Sequence, residues 1–149
     1  MIDSLNAVRS VIKETYPDIE RIYLHTMPVE FDRPSFLVRL ISTSEQYLSR
    51  NRINVRHTWQ IVYFSPINTL GQPSVIDQLS VSSALKHAFL SRAAIREPDS
   101  DVIFHVLDCS TGSRDNEVYA NVRIETEVIL PDETLPTMQS LNVRMTEGG

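Results

Sequence analysis

Four histidines, one cysteine, a short acidic group and a run of arginines are the residues of this chain whose types could do chemistry. His25, His57, His87 and His105 are scattered, without the short spacings that let imidazoles share a zinc or iron ion, and a single cysteine cannot complete such a set. Neither a metal site nor a cofactor is expected. His57 and His105 both fall in β-prone runs and could meet in space, yet a half-buried sheet histidine with a satisfied ring is the plainer account of each. Cys109 follows Asp108 and precedes STGS, a composition that would suit a nucleophile if a distant histidine took the thiol proton. A free cysteine at a strand end is more commonly a small buried hydrophobe. There is no GxSxG elbow and no glycine-rich phosphate loop, so no enzymatic activity is expected. Glu97, Asp99 and Asp101 flank Pro98 without the glycine-centred order of a calcium loop. That cluster is either solvated or faces a polyanion that must be kept from sticking.

Arg50, Arg52 and Arg56 lie in RNRINVRHTWQIVYF, residues 50–64, which alternates polar and apolar residues throughout. Odd positions carry Ile53, Val55, His57, Trp59, Ile61 and Tyr63. Even positions carry Arg50, Arg52, Asn54, Arg56, Thr58 and Gln60. That period is a β-strand with one apolar and one basic face. A nucleic-acid platform would put aromatics and cations on the same face, and here they are on opposite parities. At about 3.3 Å per residue the strand spans on the order of 50 Å, whereas a compact domain of this length has a radius of gyration near ~15 Å. It must bend, bulge or project, and a basic face on a projecting strand suits a protein interface, where arginine is enriched. The competing account is a solvated face paired with neighbours in the same chain.

A length of 149 residues suits one domain with a substantial core. The net charge of -5 disfavours nonspecific binding to nucleic acid, which draws on a surplus of Lys and Arg. No apolar stretch reaches the roughly 20 residues of a membrane span. The opening MIDSLNAVRSVIKE lacks the basic and apolar segments of a secretory signal, so cytoplasmic synthesis is expected.

Around these residues the chain supplies the following elements. Ile2, Leu5, Val8, Ile12 and Tyr16 recur at helical steps, with Asp3 or Ser4 as N-cap and Pro17 as stop. Residues 19–26 form a short strand, and residues 29–34 a proline-bounded loop. FLVRLIST, residues 36–43, is apolar on both parities except Arg39 and fits a central strand. The polar SEQYLS then reads as a hairpin connection to the long strand. Ser74 caps a second helix carrying Val75, Leu79, Leu85 and Phe89, with many polar residues (Ser80, Ser82, Ser83, Lys86, His87) leaving its packing partner open. VIFHVLDC is a strand, STGSRDN a turn, and residues 117–130 a last long strand with Val118, Ala120, Val122, Ile124, Val128 and Leu130 on one parity. If the two long strands are antiparallel neighbours, Arg52 and Arg56 face Glu125 and Glu127, beside Arg123, each pair adding about 0.2 to 1 kcal/mol.

The expected fold is α+β, a single domain (1–149) in the order helix, three strands, helix, two strands. Its twisted sheet is mainly antiparallel, with the helices packed on one face and a long projecting β-ribbon. Residues 131–149 form an extended tail in which Leu141, Val143 and Met145 alternate weakly.

The run FLVRLISTSEQYLSRNRINVRHTWQIVYFSP, with an N-terminal amphipathic helix ending near YPDI and a helix after the W-Q-I-V-Y-F-S-P close, resembles the small tail terminator proteins of bacteriophages and prophages. The likeness covers about the first ninety residues well and the remainder only by layout. It implies a non-enzymatic protein of the virion tail, assembled in the host cytoplasm, whose subunits form a ring, typically hexameric. Such a ring caps the tail tube, stops its polymerisation and offers a joining surface to head-completion or neck proteins. A contractile tail would add a sheath protein as partner. DNA would pass through the lumen without specific binding. On that reading Arg50, Arg52, Arg56, Arg123, Glu125 and Glu127 are candidates for a subunit interface. Glu97, Asp99 and Asp101 are candidates for an acidic lumen or loop cluster. Another neck or tail-completion protein is the alternative, and a small cysteine-dependent enzyme a more distant one.

Overall fold

The computed structural model describes residues 1–114 and 117–131. The sequence supplies an amphipathic helix α1 (Ile2–Thr15), strands β1 (Ile22–Leu24), β2 (Ser35–Ser49) and β3 (Arg52–Phe64), helix α2 (Val75–Leu90), and strands β4 (Ala94–Ile95), β5 (Phe104–Arg114) and β6 (Glu117–Ile129). The six strands form one sheet in the order β1-β2-β3-β6-β5-β4. β1 runs parallel to β2 and every other neighbour is antiparallel, so the sheet is mixed. The fold is α+β as expected, with one strand more than expected, the two-residue β4.

α1 buries Ser4, Ala7, Val8, Val11 and Ile12. Ile2, expected on the apolar stripe, is 73% exposed. Neither Asp3 nor Ser4 is the N-cap: Met1 is, and the Ser4 hydroxyl donates to its carbonyl at 2.6 Å from inside the first turn. The helix stops at Thr15, ahead of Pro17, whose ring cannot continue it. In α2, Ser74 accepts from the Asp77 N–H as expected at 3.2 Å. The buried stripe, however, is Gln78, Val81, Leu85, Ala88 and Phe89, while Val75 and Leu79 stay exposed. The sheet meets α2 on the face that carries Val81, Leu85 and Phe89, and Val75 and Leu79 toward its N-terminal end are left outside.

Two expected connections are strand. SEQYLS lies inside β2, which pairs with β3 as far as Ser49 and Arg52, so only Arg50 and Asn51 form the turn. Its polar composition reflects exposure rather than a bend, since every residue from 41 to 49 is exposed. Likewise STGSR extends β5, with Ser110 opposite Asn121 and Gly112 opposite Tyr119. Gly112 lets the Tyr119 ring lie close over the strand, since a Cβ there would fall 2.6 Å from the Tyr119 hydroxyl and push that ring aside. The ladder satisfies backbone groups that a turn would leave to water, and this outweighs local turn propensity. The expected tail, with Leu141, Val143 and Met145, lies outside the described residues.

Alternation divides the sheet into two faces. Phe36, Val38, Trp59, Ile61, Tyr63, Val118, Ala120, Val122 and Ile124 point toward both helices and form the main core. On the reverse face Leu37, Val62 and Phe64 form a smaller cluster under Tyr23, Met27 and Phe31, contributed by β1 and the following loop. That explains why FLVRLIST is apolar on both parities. The Arg33 guanidinium lies over the Phe31 ring at 5.0 Å and donates to the Ser65 carbonyl at 2.9 Å, fixing the loop on the sheet.

Candidate functional site

Beyond that small cluster the reverse face of the sheet is polar across four strands. The register lines up Arg39 with Gln60 and Asn121, then Ser42 with Thr58 and Arg123, then Ser44 with Arg56 and Glu125. Three of the arginines on this face are neutralised by carboxylates of neighbouring strands. Arg56 Nη2 meets Glu125 Oε2 at 3.1 Å, Arg52 Nε meets Glu127 Oε1 at 3.1 Å, and Arg123 Nε meets Asp108 Oδ2 at 2.9 Å. Asn54 donates to the same Glu125 oxygen at 2.9 Å, and Arg39 donates to Gln60 Oε1 at 2.7 Å. The Asn54 hydrogen bond, with Arg56 beside it, holds the Glu125 carboxyl below its ordinary range.

Arg52 and Arg56 thus face Glu127 and Glu125 within one chain, as the spacing predicted, Arg52 across a diagonal and Arg56 directly. Arg50 does not share that face, because it falls in the turn. Arg123 pairs with Asp108, a partner the sequence did not suggest because a register shift between Val106 and Asp108 sets which β5 side chain stands opposite.

The helix-side face changes character along the strands. Rows led by Trp59 and Ile61 are buried under the helices, whereas the distal row of Tyr47, Ile53 and Val128 lies where β2 is exposed, with Tyr47 67% and Val128 39% accessible. Between them an open depression is lined by Thr43, Glu45, Val55, His57, Thr126 and the start of α1. The projecting ribbon is therefore three-stranded, β6 flanking the β2–β3 hairpin up to Ile129. It carries an apolar side and a charge-compensated side.

The other chemistry-bearing residues stay apart. His57 is buried beneath the Phe104 ring and shares a hydrogen bond of 3.0 Å between its Nδ1 and Thr43 Oγ1. Burial pushes its pKa down. His105 stands opposite Glu125 on the reverse face, so the two histidines do not meet. Cys109 is buried in the main core, and burial pushes its thiol up to about 11. A thiolate there is strongly disfavoured at neutral pH, which suits a packing role. Glu97 accepts from Asn6 at 3.3 Å near Arg9 and Lys13, while Asp99 and Asp101 are exposed. Among the described residues no group of three or more His, Cys, Asp or Glu could hold a metal ion, and no helix is long and apolar enough to cross a membrane.

No curated protein matches this chain. A family model described as phage tail terminator protein matches residues 3–134, spanning both helices and every strand of the sheet. With well over half of its length matched, the chain belongs to the phage tail terminator protein family, a structural component of the virion tail that interacts with other tail proteins.

Proposed function

We propose that this protein assembles in the host cytoplasm into a homo-oligomeric ring, hexameric in the form implied by its family, that caps the finished tail tube. The ring ends tube polymerisation, presents a surface to a head-completion or neck protein, contacts a sheath protein where the tail is contractile, and lets DNA pass through its lumen. The observation that supports this reading best is the three-stranded ribbon. Its distal Tyr47, Ile53 and Val128 row is an apolar surface that a monomer leaves partly in water, and burying it against another copy or the tube recovers hydrophobic free energy.

The reverse face fits a surface past which DNA slides. Three of its arginines, Arg52, Arg56 and Arg123, are matched by Glu127, Glu125 and Asp108, and Arg39 donates to the neutral Gln60, so most of its cations are already engaged rather than offered to phosphate. The Arg52 and Arg56 face is in that case held by pairing within the subunit, and the subunit contacts come from the rim and apolar side of the ribbon. Arg50, at the exposed turn, is the member of the arginine group best placed to reach a neighbour. Exposed Asp99 and Asp101 add negative charge suited to a loop that must not bind DNA.

Electron microscopy of the purified protein, alone and mixed with tail tubes, tests the proposal. Rings matching the tube diameter and seated at tube ends are expected. Protein that binds only the head portal, with bare tube ends, would point to a neck protein instead.

A further inference from the structure

Among the described residues, both edges of the sheet are covered by strand over only part of their length. β1 covers β2 only at Phe36, Leu37 and Val38, assisted by the His25 N–H bonding to the Val38 carbonyl. From residue 41 to residue 49 the outer side of β2 meets no strand among the described residues, and all nine side chains are exposed. At the opposite side, β4 covers β5 only at Phe104 and His105, with one further bond from the Val106 N–H to Ala93. Residues 107–113 have no described strand on their outer side.

Long open edges invite pairing, and proteins that must stay monomeric blunt them with lysine, proline or inward charges. Neither ISTSEQYLS nor LDCSTGS contains lysine or proline. Each carries a single charge, Glu45 in one and Asp108 in the other, and Asp108 is already paired with Arg123.

We infer that residues 41–49 of β2 pair edge to edge with residues 107–113 of β5 in a second copy of this chain, so that neighbouring subunits share one continuous antiparallel sheet. Three observations carry this. First, β3, β6 and β5 alternate in direction after β2, so β5 runs opposite to β2 and a head-to-tail contact continues the antiparallel pattern. Second, the open lengths are comparable, so the seven residues of the β5 edge can pair within the nine of the β2 edge. Third, they sit at opposite ends of the strands. The covered His105 stands level with Glu125, Arg56 and Ser44, so β5 is open toward the base of the sheet and β2 toward its tip. Pairing the two therefore staggers each copy along the strand direction, which is the shear that a sheet of tilted strands needs to close on itself. A two-fold contact of β2 with β2 about its midpoint would instead set Glu45 against its own copy, a repulsive pair. Unlike edges make the contact heterologous, and it generates a ring when the rotation closes.

The inference rests on the ring reading above, and amide hydrogen exchange of the full chain separates the two. In dissociated monomer, peptides covering 41–49 and 107–113 are expected to exchange rapidly. In rings, alone or on tubes, both are expected to slow together by at least about tenfold, while α1 is unchanged. Rings in which either segment still exchanges at the monomer rate would overturn the edge pairing and leave the ring intact. Protection of either edge already in the monomer would also overturn it. A protein that forms no ring under any condition removes both.

Discussion

Trp59 donates its indole N–H to the Ser4 hydroxyl across 3.1 Å, joining the centre of β3 to the first turn of α1. Both residues are fully buried, and the Ser4 hydroxyl in turn donates a hydrogen bond to the Met1 carbonyl at 2.6 Å. A serine on the inner face of a helix is thus explained by the only tryptophan in the chain, which needs an acceptor once it leaves water. Ser4→Ala leaves the indole N–H without that partner in the core and is expected to cost about 1 to 3 kcal/mol. Denaturant unfolding followed by circular dichroism measures it. In a Trp59→Phe background, where no donor remains, the same substitution should cost much less.

Glu125 links pH to the stability of the ribbon. Its folded pKa lies below the ordinary 4.5, chiefly through the Asn54 hydrogen bond and then through Arg56. A carboxylate with a depressed folded pKa stabilises the fold above its unfolded pKa, and the contribution is lost as pH falls from about that value through the folded one. Glu125→Gln removes this contribution. At neutral pH the variant should lose no more than about 1 kcal/mol, because the pair is partly solvent-screened. As pH falls below the ordinary 4.5 and through the lower folded value, its stability should approach that of the parent. Urea titrations across that window read both effects.

His57 acts in the opposite chemical sense. Its folded pKa is lowered from 6.5, with burial the leading cause. The unfolded chain therefore binds a proton that the folded one resists, and stability falls as pH drops below about 6.5 until the folded pKa is reached. His57→Gln keeps a polar partner for Thr43 Oγ1 without a titrating group. Its thermal midpoint should vary less with pH below 6.5 than that of the parent, even if it is lower overall. Equal slopes for the two proteins would refute this assignment.

Alternation along residues 50–64 was enough to divide that strand into its two faces, because side-chain direction in a strand is fixed by parity. It placed Arg56 against Glu125 on the condition, met in the fold, that the two long strands are antiparallel neighbours. The ribbon's length was legible too, though its third strand was not, since periodicity says nothing of which strands are neighbours. SEQYLS and STGSR misled for one physical reason. Exposed edge strands carry the same Ser, Gln and Gly residues as turns, and only the ladder they join distinguishes them. Arg123 found Asp108 through a register shift that no single-strand pattern encodes. In α2 the expected Leu85 and Phe89 are buried, whereas Val75 and Leu79 are not, because contact with the sheet continues the stripe through Val81 and Gln78 instead.

Tyr47 separates stability from assembly. It stands opposite Ile53, which stands opposite Val128, on the helix side of the ribbon, and both Tyr47 and Val128 remain accessible. Substituting an exposed residue away from the core changes folding free energy by about 0.5 kcal/mol or less. Tyr47→Ser is therefore expected to leave the monomer's unfolding midpoint nearly unchanged. If the apolar row packs on a neighbouring subunit or on the tube, the same substitution removes a large aromatic contact from an interface, where such residues carry a disproportionate share of the binding energy. The concentration at which rings form should rise at least about tenfold, a shift of about 1.4 kcal/mol, and tube ends should be capped correspondingly less often. Tyr47→Phe should restore most of both, since the ring supplies the contact. Analytical ultracentrifugation and counting of capped tubes by electron microscopy read the two effects. Unchanged assembly in Tyr47→Ser would remove this face from the proposed contacts.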